Sequence, residues 1–323
     1  MDNHSGAGRF APSPSGRMHL GNIFTALISW LDAGFRHQRR ILRIEDLDPQ
    51  RSKYEYARRI EDDLEWLGLH FDEGGLDNIG DYGPYSQSKR HDIYQTILDK
   101  LCSMGIVYPC RCTRAELRMT EAPHASDGRA LYPGTCRPER LPYTSGAIPH
   151  LPDLKHSLRL YIPDMEIEFT DIVFSHQSIN IASEFADILL RRADGAWAYQ
   201  LAVVADDALM GVSTVVRGAD LLSSAAPQIY LHRLLGFTPP QFLHVPLLCN
   251  SQGRRLSKRD GDLNLNVLRD NYPPESIIGY LGYLAGINPT CDPATPADLL
   301  NVYSPELIPH TPTIIIPDKI LIK

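Results

Sequence analysis

The stretch that most constrains this chain is Arg9-Phe10-Ala11-Pro12-Ser13-Pro14-Ser15-Gly16-Arg17-Met18-His19-Leu20-Gly21-Asn22. Each proline biases the residue before it towards extended geometry, so the stretch begins as an arm. Gly16 then permits a tight turn and close approach of the backbone to a ligand. From about Gly21 the pattern turns helical, with Ile23, Leu27, Trp30, Leu31 and Gly34 near one face. A glycine loop that opens a helix gathers free N–H groups and the positive end of the helix dipole at one spot, where a phosphate binds. His19 stands beside that spot and can donate to a phosphate oxygen. Taken alone, such a loop is also an ordinary strand–turn–helix of an α/β core. It needs a second half.

That half lies far downstream, at Arg254-Arg255-Leu256-Ser257-Lys258-Arg259-Asp260-Gly261, after the apolar run Phe242 to Leu248 and the turn Asn250-Ser251-Gln252-Gly253. Four cations fall in the six positions 254–259. By themselves they suit a solvated basic loop. Paired with the first stretch, they say more. His19-Leu20-Gly21-Asn22 resembles the HIGH signature of class I aminoacyl-tRNA synthetases, and Leu256-Ser257-Lys258-Arg259 resembles their KMSKS signature. The lead-in from Arg9 to Gly16 narrows the resemblance to the glutamyl/glutaminyl branch. It continues through Arg43-Ile44-Glu45-Asp46-Leu47-Asp48, Gly83-Pro84-Tyr85-Ser86-Gln87-Ser88 and Val216 to Leu222, and so covers nearly the whole chain.

The order of elements agrees. Arg36 to Arg40 closes the first helix with cations, suited to a helix C-terminus. A buried strand, Ile41 to Ile44, delivers Glu45 and Asp46 at its carboxyl end, where open α/β sheets keep their ligand groups. Tyr54 to Leu67 reads as an amphipathic helix, with Ala57, Ile60, Leu64 and Leu67 on one face. A loop with five glycines between Gly68 and Gly83 leads to a helix from about Arg90 to Met104. This alternation predicts an α/β fold with a Rossmann-like, doubly wound parallel sheet. Residues 8–105 form its first half. Over 106–183 helical periodicity fades, prolines crowd in, and Cys110, Cys112 and Cys136 gather, which marks an insertion. Residues 184–262 resume the sheet with Asp187 to Arg192, the apolar run Trp197 to Val204, the strand Thr214 to Val216, a helix near Ala226 to Leu235 and the strand before Arg254. Residues 263–323 are a short helical C-terminal portion.

At 323 residues the chain can bury a large core. Six cysteines in that length do not make a secreted disulfide scaffold. No run of about 18 apolar residues and no charged-then-apolar leader occurs, so a cytoplasmic protein without a membrane span is expected. The first seven residues read as a disordered tip. A net charge of −7 argues against indiscriminate nucleic-acid binding while leaving room for a local basic track.

The resemblance also assigns residues. Arg9, Ser13, Glu45, Tyr199 and Arg217, with Phe10, Ala11 and Pro12, match the family positions that hold glutamate. The chemistry fits, since a dicarboxylic substrate needs cations and arginines offer bidentate donors. Asp48, before Pro49, is read as a turn cap. His19, Gly21, Asn22 and Lys258 match the ATP-binding positions, with His19 and Lys258 expected to be catalytic and Mg2+ to accompany ATP. Cys110, Cys112, Tyr132 and Cys136 resemble the zinc knuckle of the family's inserted acceptor-binding module, implying one structural Zn2+ per chain. The longer loop before Tyr132 contains His124, an intrinsically better zinc donor, as the alternative fourth ligand. Cys102, Cys249 and Cys291 read as buried thiols.

After Lys258 about 65 residues remain, and their end resembles the segment just before the helical anticodon-binding domains of glutamyl-tRNA synthetases. Without those domains the chain resembles a shortened, tRNA-modifying branch of the family. That resemblance implies a monomer that activates L-glutamate with ATP without tRNA and transfers it to the queuosine base at the wobble position of tRNA(Asp). The alternative is a glutamyl-tRNA synthetase catalytic fragment that charges a tRNA 3′ end. A pantothenate-synthetase-like ligase would share the signatures but lack the zinc insertion and the two-arginine pocket. A noncatalytic relative should have lost His19 or Lys258.

Overall fold

The computed structural model describes residues 6–113, 132–139, 156–256 and 264–317. Its frame is a seven-stranded sheet of β1 (Ala7–Phe10), β2 (Arg39–Leu42), β3 (Glu73–Gly74), β6 (Glu166–Asp171), β7 (Ser175–Asn180), β9 (Val212–Gly218) and β10 (Gln241–Val245), in the order β3-β2-β1-β9-β10-β6-β7. All neighbours are parallel except β6 and β7, a hairpin that closes one edge. Adjacent residues of one strand serve opposite faces, as the period of two requires. Ile41, Val215 and Phe242 enter one apolar core, while Leu42, Val216 and Leu243 enter the other. Helix α1 (Leu20–Phe35) and α2 (Tyr54–Trp66) cover the second core, with α8 (Pro274–Leu284) outside them. The first core is covered by α3 (His91–Ser103), α5 (Tyr199–Leu209) and α6 (Ala225–Leu235). A sheet clothed on both faces is the doubly wound architecture predicted above.

Two apolar runs resolve in ways that periodicity does not dictate. Trp197 to Val204 is mostly the first half of α5, buried on nearly all sides from Gln200 to Asp207. A continuous apolar run of that length fits a buried strand or a buried helix equally well. Phe242 to Leu248 is two strands, because Pro246 has no N–H with which to continue the ladder. Its second part, β11 (Leu247–Cys249), leaves the main sheet and pairs in parallel with β12 (Thr313–Ile315). Ala7, expected in a disordered tip, is fully buried in β1.

Strands β4 (Val107–Cys110), β5 (Ser157–Leu160) and β8 (Ile188–Arg191) make a separate antiparallel sheet. Sequence order and sheet membership therefore cross: β6 and β7 lie before β8 yet extend the large sheet. The short helices are α4 (Ile181–Phe185), α7 (Leu265–Asn271) and α9 (Pro296–Leu300). Among the described residues no helix is long and apolar enough to cross a membrane.

Candidate active site

At the carboxyl ends of β1, β2 and β9 the sheet opens into a cavity of about 490 Å³. Strand β1 has β2 on one side and β9 on the other, which makes this a topological switch point, where open α/β sheets bind ligands. Arg9, Phe10, Ala11, Pro12, Ser13, His19, Gly21, Asn22, Glu45, Tyr199 and Arg217 all line it. The first signature sits at its mouth. His19 is the N-cap of α1; its Nδ1 accepts from Gly21 N at 3.1 Å, and Asn22 Oδ1 accepts from His19 N at 3.1 Å. This reciprocal cap fixes the helix start and the imidazole together. A Cβ on Gly21 would come within 3.1 Å of that ring, so the third signature position favours glycine for space.

Deeper in, charge dominates. Arg9 is 3% exposed; its Nε donates to Asp207 Oδ1 at 3.2 Å and its Nη1 to Val216 O at 3.1 Å. Arg43, fully buried, donates to the same Asp207 oxygen at 2.6 Å and to Glu45 Oε1 at 3.1 Å. Burial would raise the Asp207 pKa, but Arg43 and Arg9 hold it down to about 2. Glu45 keeps a raised pKa because burial outweighs Arg43 and Arg9. Burial also raises the pKa of Tyr199 against the pull of Arg217.

Arg217 differs from the other cations. It is 5% exposed, yet its partners are neutral: His244 Nε2 at 2.9 Å, Gln228 Oε1 at 2.7 Å and Leu221 O at 3.1 Å, with the Tyr199 hydroxyl as a further hydrogen-bonding neighbour. No carboxylate among the described residues forms an ion pair with it. Burial lowers its pKa accordingly. A buried cation facing a cavity without a direct counter-ion is complementary to an anionic ligand.

Sequence reasoning passed over Arg43, Asp207, Gln228 and His244, which hold the lining residues in place. Only Arg43 carried a signal, standing two residues before Glu45. Asp48 does cap a turn, accepting from Gln50 N at 3.0 Å. Lys258 lies outside the described residues, but both flanks of its segment reach the site. Leu256 lines the cavity, Asn264 bridges to His19, and Leu265 N donates to Met18 O at 3.1 Å. Arg255, also at the cavity, pairs with Asp220.

A second cluster sits at the end of β4. The Sγ atoms of Cys110, Cys112 and Cys136 lie within 4.8 Å of one another, and none of the six cysteines is in a disulfide. Cys112 Sγ and Cys136 Sγ are 3.7 Å apart. A tetrahedral Zn2+ with Zn–S bonds of about 2.3 Å separates its sulfurs by about 3.8 Å, so the set fits such an ion. Tyr132 turns its hydroxyl to the same spot, accepting from Cys136 N at 2.6 Å, while the Arg159 guanidinium covers its ring at 3.9 Å. His124 lies outside the described residues. Of the other thiols, Cys249 and Cys291 are buried and Cys102 is half-buried.

Comparison with known proteins places this geometry. The family described as "tRNA synthetases class I (E and Q), catalytic domain" matches residues 7–293. A protein of Nitratidesulfovibrio vulgaris named glutamyl-Q tRNA(Asp) synthetase is 46% identical over 309 residues, covering 95% of this chain and 94% of its own length. A glutamate–tRNA ligase of Sulfurihydrogenibium sp. is 41% identical, but the match covers 57% of that protein. A crystal structure of a glutamate tRNA ligase from Elizabethkingia meningosepticum in complex with its amino acid superposes with a TM-score of 0.80 at 27% identity. That match covers 95% of this chain and 66% of the ligase.

Proposed function

Since the chain belongs to the class I tRNA synthetase family for glutamate and glutamine, we propose that it is an ATP-dependent ligase with two successive reactions. It activates L-glutamate as glutamyl-adenylate without tRNA, then transfers the glutamyl group to the queuosine base at the wobble position of tRNA(Asp), with AMP as the leaving group. The observation that carries the substrate is Arg217, a buried cation at the cavity with only neutral hydrogen-bond partners. Glutamine would offer one of the two arginines, Arg217 or Arg9, a neutral amide in place of a carboxylate and leave its charge poorly matched. What supports the acceptor is the match, over 94% of their own lengths, to two relatives named for that modification.

In the first reaction a substrate carboxylate oxygen bonds to the α-phosphorus of ATP as the bond from that phosphorus to pyrophosphate breaks. Charge builds on phosphoryl oxygens, so the protein's contribution is positioning and electrostatic stabilisation. Arg217 and Arg9 orient the carboxylates, Glu45 faces the ammonium group, and Tyr199 and Ser13 add neutral hydrogen bonds. His19 and the positive end of the α1 dipole receive phosphate oxygens, and Lys258 supplies a further cation to them. Mg2+ bound with ATP would supply further charge neutralisation. Cys110, Cys112, Cys136 and Tyr132 would hold one structural zinc. The expected setting is the cytoplasm, where tRNA is found.

The test is acylation with radiolabelled glutamate and ATP. Queuosine-bearing tRNA(Asp) lacking its 3′ terminal nucleotide should still take up label, and intact tRNA(Glu) should take up none. Label on tRNA(Glu) with none on the trimmed tRNA(Asp) would instead make this a glutamate–tRNA ligase.

A further inference from the structure

Behind Arg217 a chain of buried polar groups crosses three neighbouring strands. His244 on β10 is the register partner of Arg217 on β9, and Asp171 ends β6 on the next strand. His244 Nε2 accepts from Arg217 Nε at 2.9 Å, so the ring's proton must be on Nδ1, which lies 2.6 Å from Asp171 Oδ2. Asp171 is itself pinned: its Oδ1 accepts from Val173 N at 3.0 Å and Phe174 N at 2.9 Å, and its Oδ2 from His244 N at 3.2 Å. His244 is fully buried and Asp171 is 1% exposed. Burial lowers the imidazole's pKa to about 4, so it stays neutral at working pH.

The geometry fixes which donors remain. A guanidinium has five N–H groups. Three are engaged, one each on Nε, Nη1 and Nη2. With Nε taken, a ligand can meet the guanidinium only at its terminal nitrogens, where the Tyr199 hydroxyl is a further hydrogen-bonding neighbour. We propose that His244, backed by Asp171, is a positioning and specificity residue of the amino-acid site. By occupying Arg217 Nε with a neutral acceptor it leaves Arg217 to grip a substrate carboxylate through its terminal nitrogens, beside the Tyr199 hydroxyl. A carboxylate in place of the imidazole would neutralise the guanidinium directly and weaken its hold on the ligand. The imidazole keeps the Asp171 charge one ring away. This rests on the glutamate reading above.

The experiment compares H244N and H244Q in glutamate-dependent ATP–pyrophosphate exchange, with melting temperature as the control for folding. A histidine-to-asparagine amide reaches Asp171 but falls short of Arg217, whereas glutamine can set its carbonyl where Nε2 stood. H244N should raise the KM for glutamate about tenfold or more, the size expected for one lost charge-assisted hydrogen bond. Its kcat and its KM for ATP should change little. H244Q should recover most of that loss. A general packing defect would instead move both variants together. Equal KM values in the two variants, whether both unchanged or both raised, would overturn the proposal. Absence of glutamate-dependent exchange in the wild type would overturn the functional reading itself.

Discussion

Asp207 is the residue against which two arginines of the site are braced. One of its oxygens accepts from both Arg9 and Arg43. Its folded pKa of about 2 lies below the ordinary 3.8, so the stabilisation it provides is full above about pH 4 and is lost as pH falls towards 2. D207N leaves Arg43 buried with a weaker partner and should cost about 3–5 kcal/mol near pH 6. Denaturant unfolding of both proteins at pH 6 and at pH 3 checks this. The gap between them should shrink at the lower pH, and a constant gap would mean that Asp207 does not titrate as described. Nothing local marks this residue in the chain. Asp206 and Asp207 follow Val203-Val204-Ala205 and read as the polar end of an apolar run. The Asp207 partners Arg9 and Arg43 are 198 and 164 residues away. Arg9 was legible because it belongs to a signature stretch; Arg43 stood in another such stretch but was given no role, and the carboxylate that orients both carried no signal, because its role exists only after the sheet has formed.

Among the elements, the cysteine knuckle shows the same division. Strand β4 delivers Cys110 and leads to Cys112, and the turn around Gly134 brings Cys136 to them. The Cys-x-Cys pair could be read directly. The anchoring of the knuckle could not. Arg137 and Tyr108 both bind the Asp187 carboxylate, which is 2% exposed and also accepts from Ile162 N at 2.8 Å. That carboxylate holds the knuckle to the antiparallel sheet even before a metal is considered. Freshly purified protein should contain one zinc per chain, and C136S should lose it together with several degrees of melting temperature. Y132F should weaken zinc retention in a chelator competition. Full retention in Y132F, with loss in H124A, would move the fourth ligand to the histidine. Helices with a one-sided apolar stripe, such as α2, were legible within a residue or two. The runs at Trp197 and Phe242 were not, since burial on every side erases periodicity and one proline redirects a strand.

For the molecule as a whole, the cavity exists only because remote parts of the chain meet. Phe10, Glu45, Tyr199, Arg217 and Leu256 share one wall system. Of the second signature only Leu256 is among the described residues there. K258A should lower glutamate-dependent pyrophosphate exchange roughly 10²–10³-fold, the usual effect of removing one preorganised charge donor. The melting temperature should not move, and activity within about threefold of wild type would remove Lys258 from the chemistry. The strand order β2-β1-β9 has a further consequence, in time. Strand β1 is buried along its whole length, yet one of its two neighbours is β9, which begins at Val212. A ribosome adding about 5–20 residues per second needs roughly 10–40 s to travel from one to the other. Throughout that interval the β1 edge is bare, with backbone groups open to any passing strand. The half-made chain is thus open to strand pairing with other chains along the very strand that will carry Arg9 into the finished cavity.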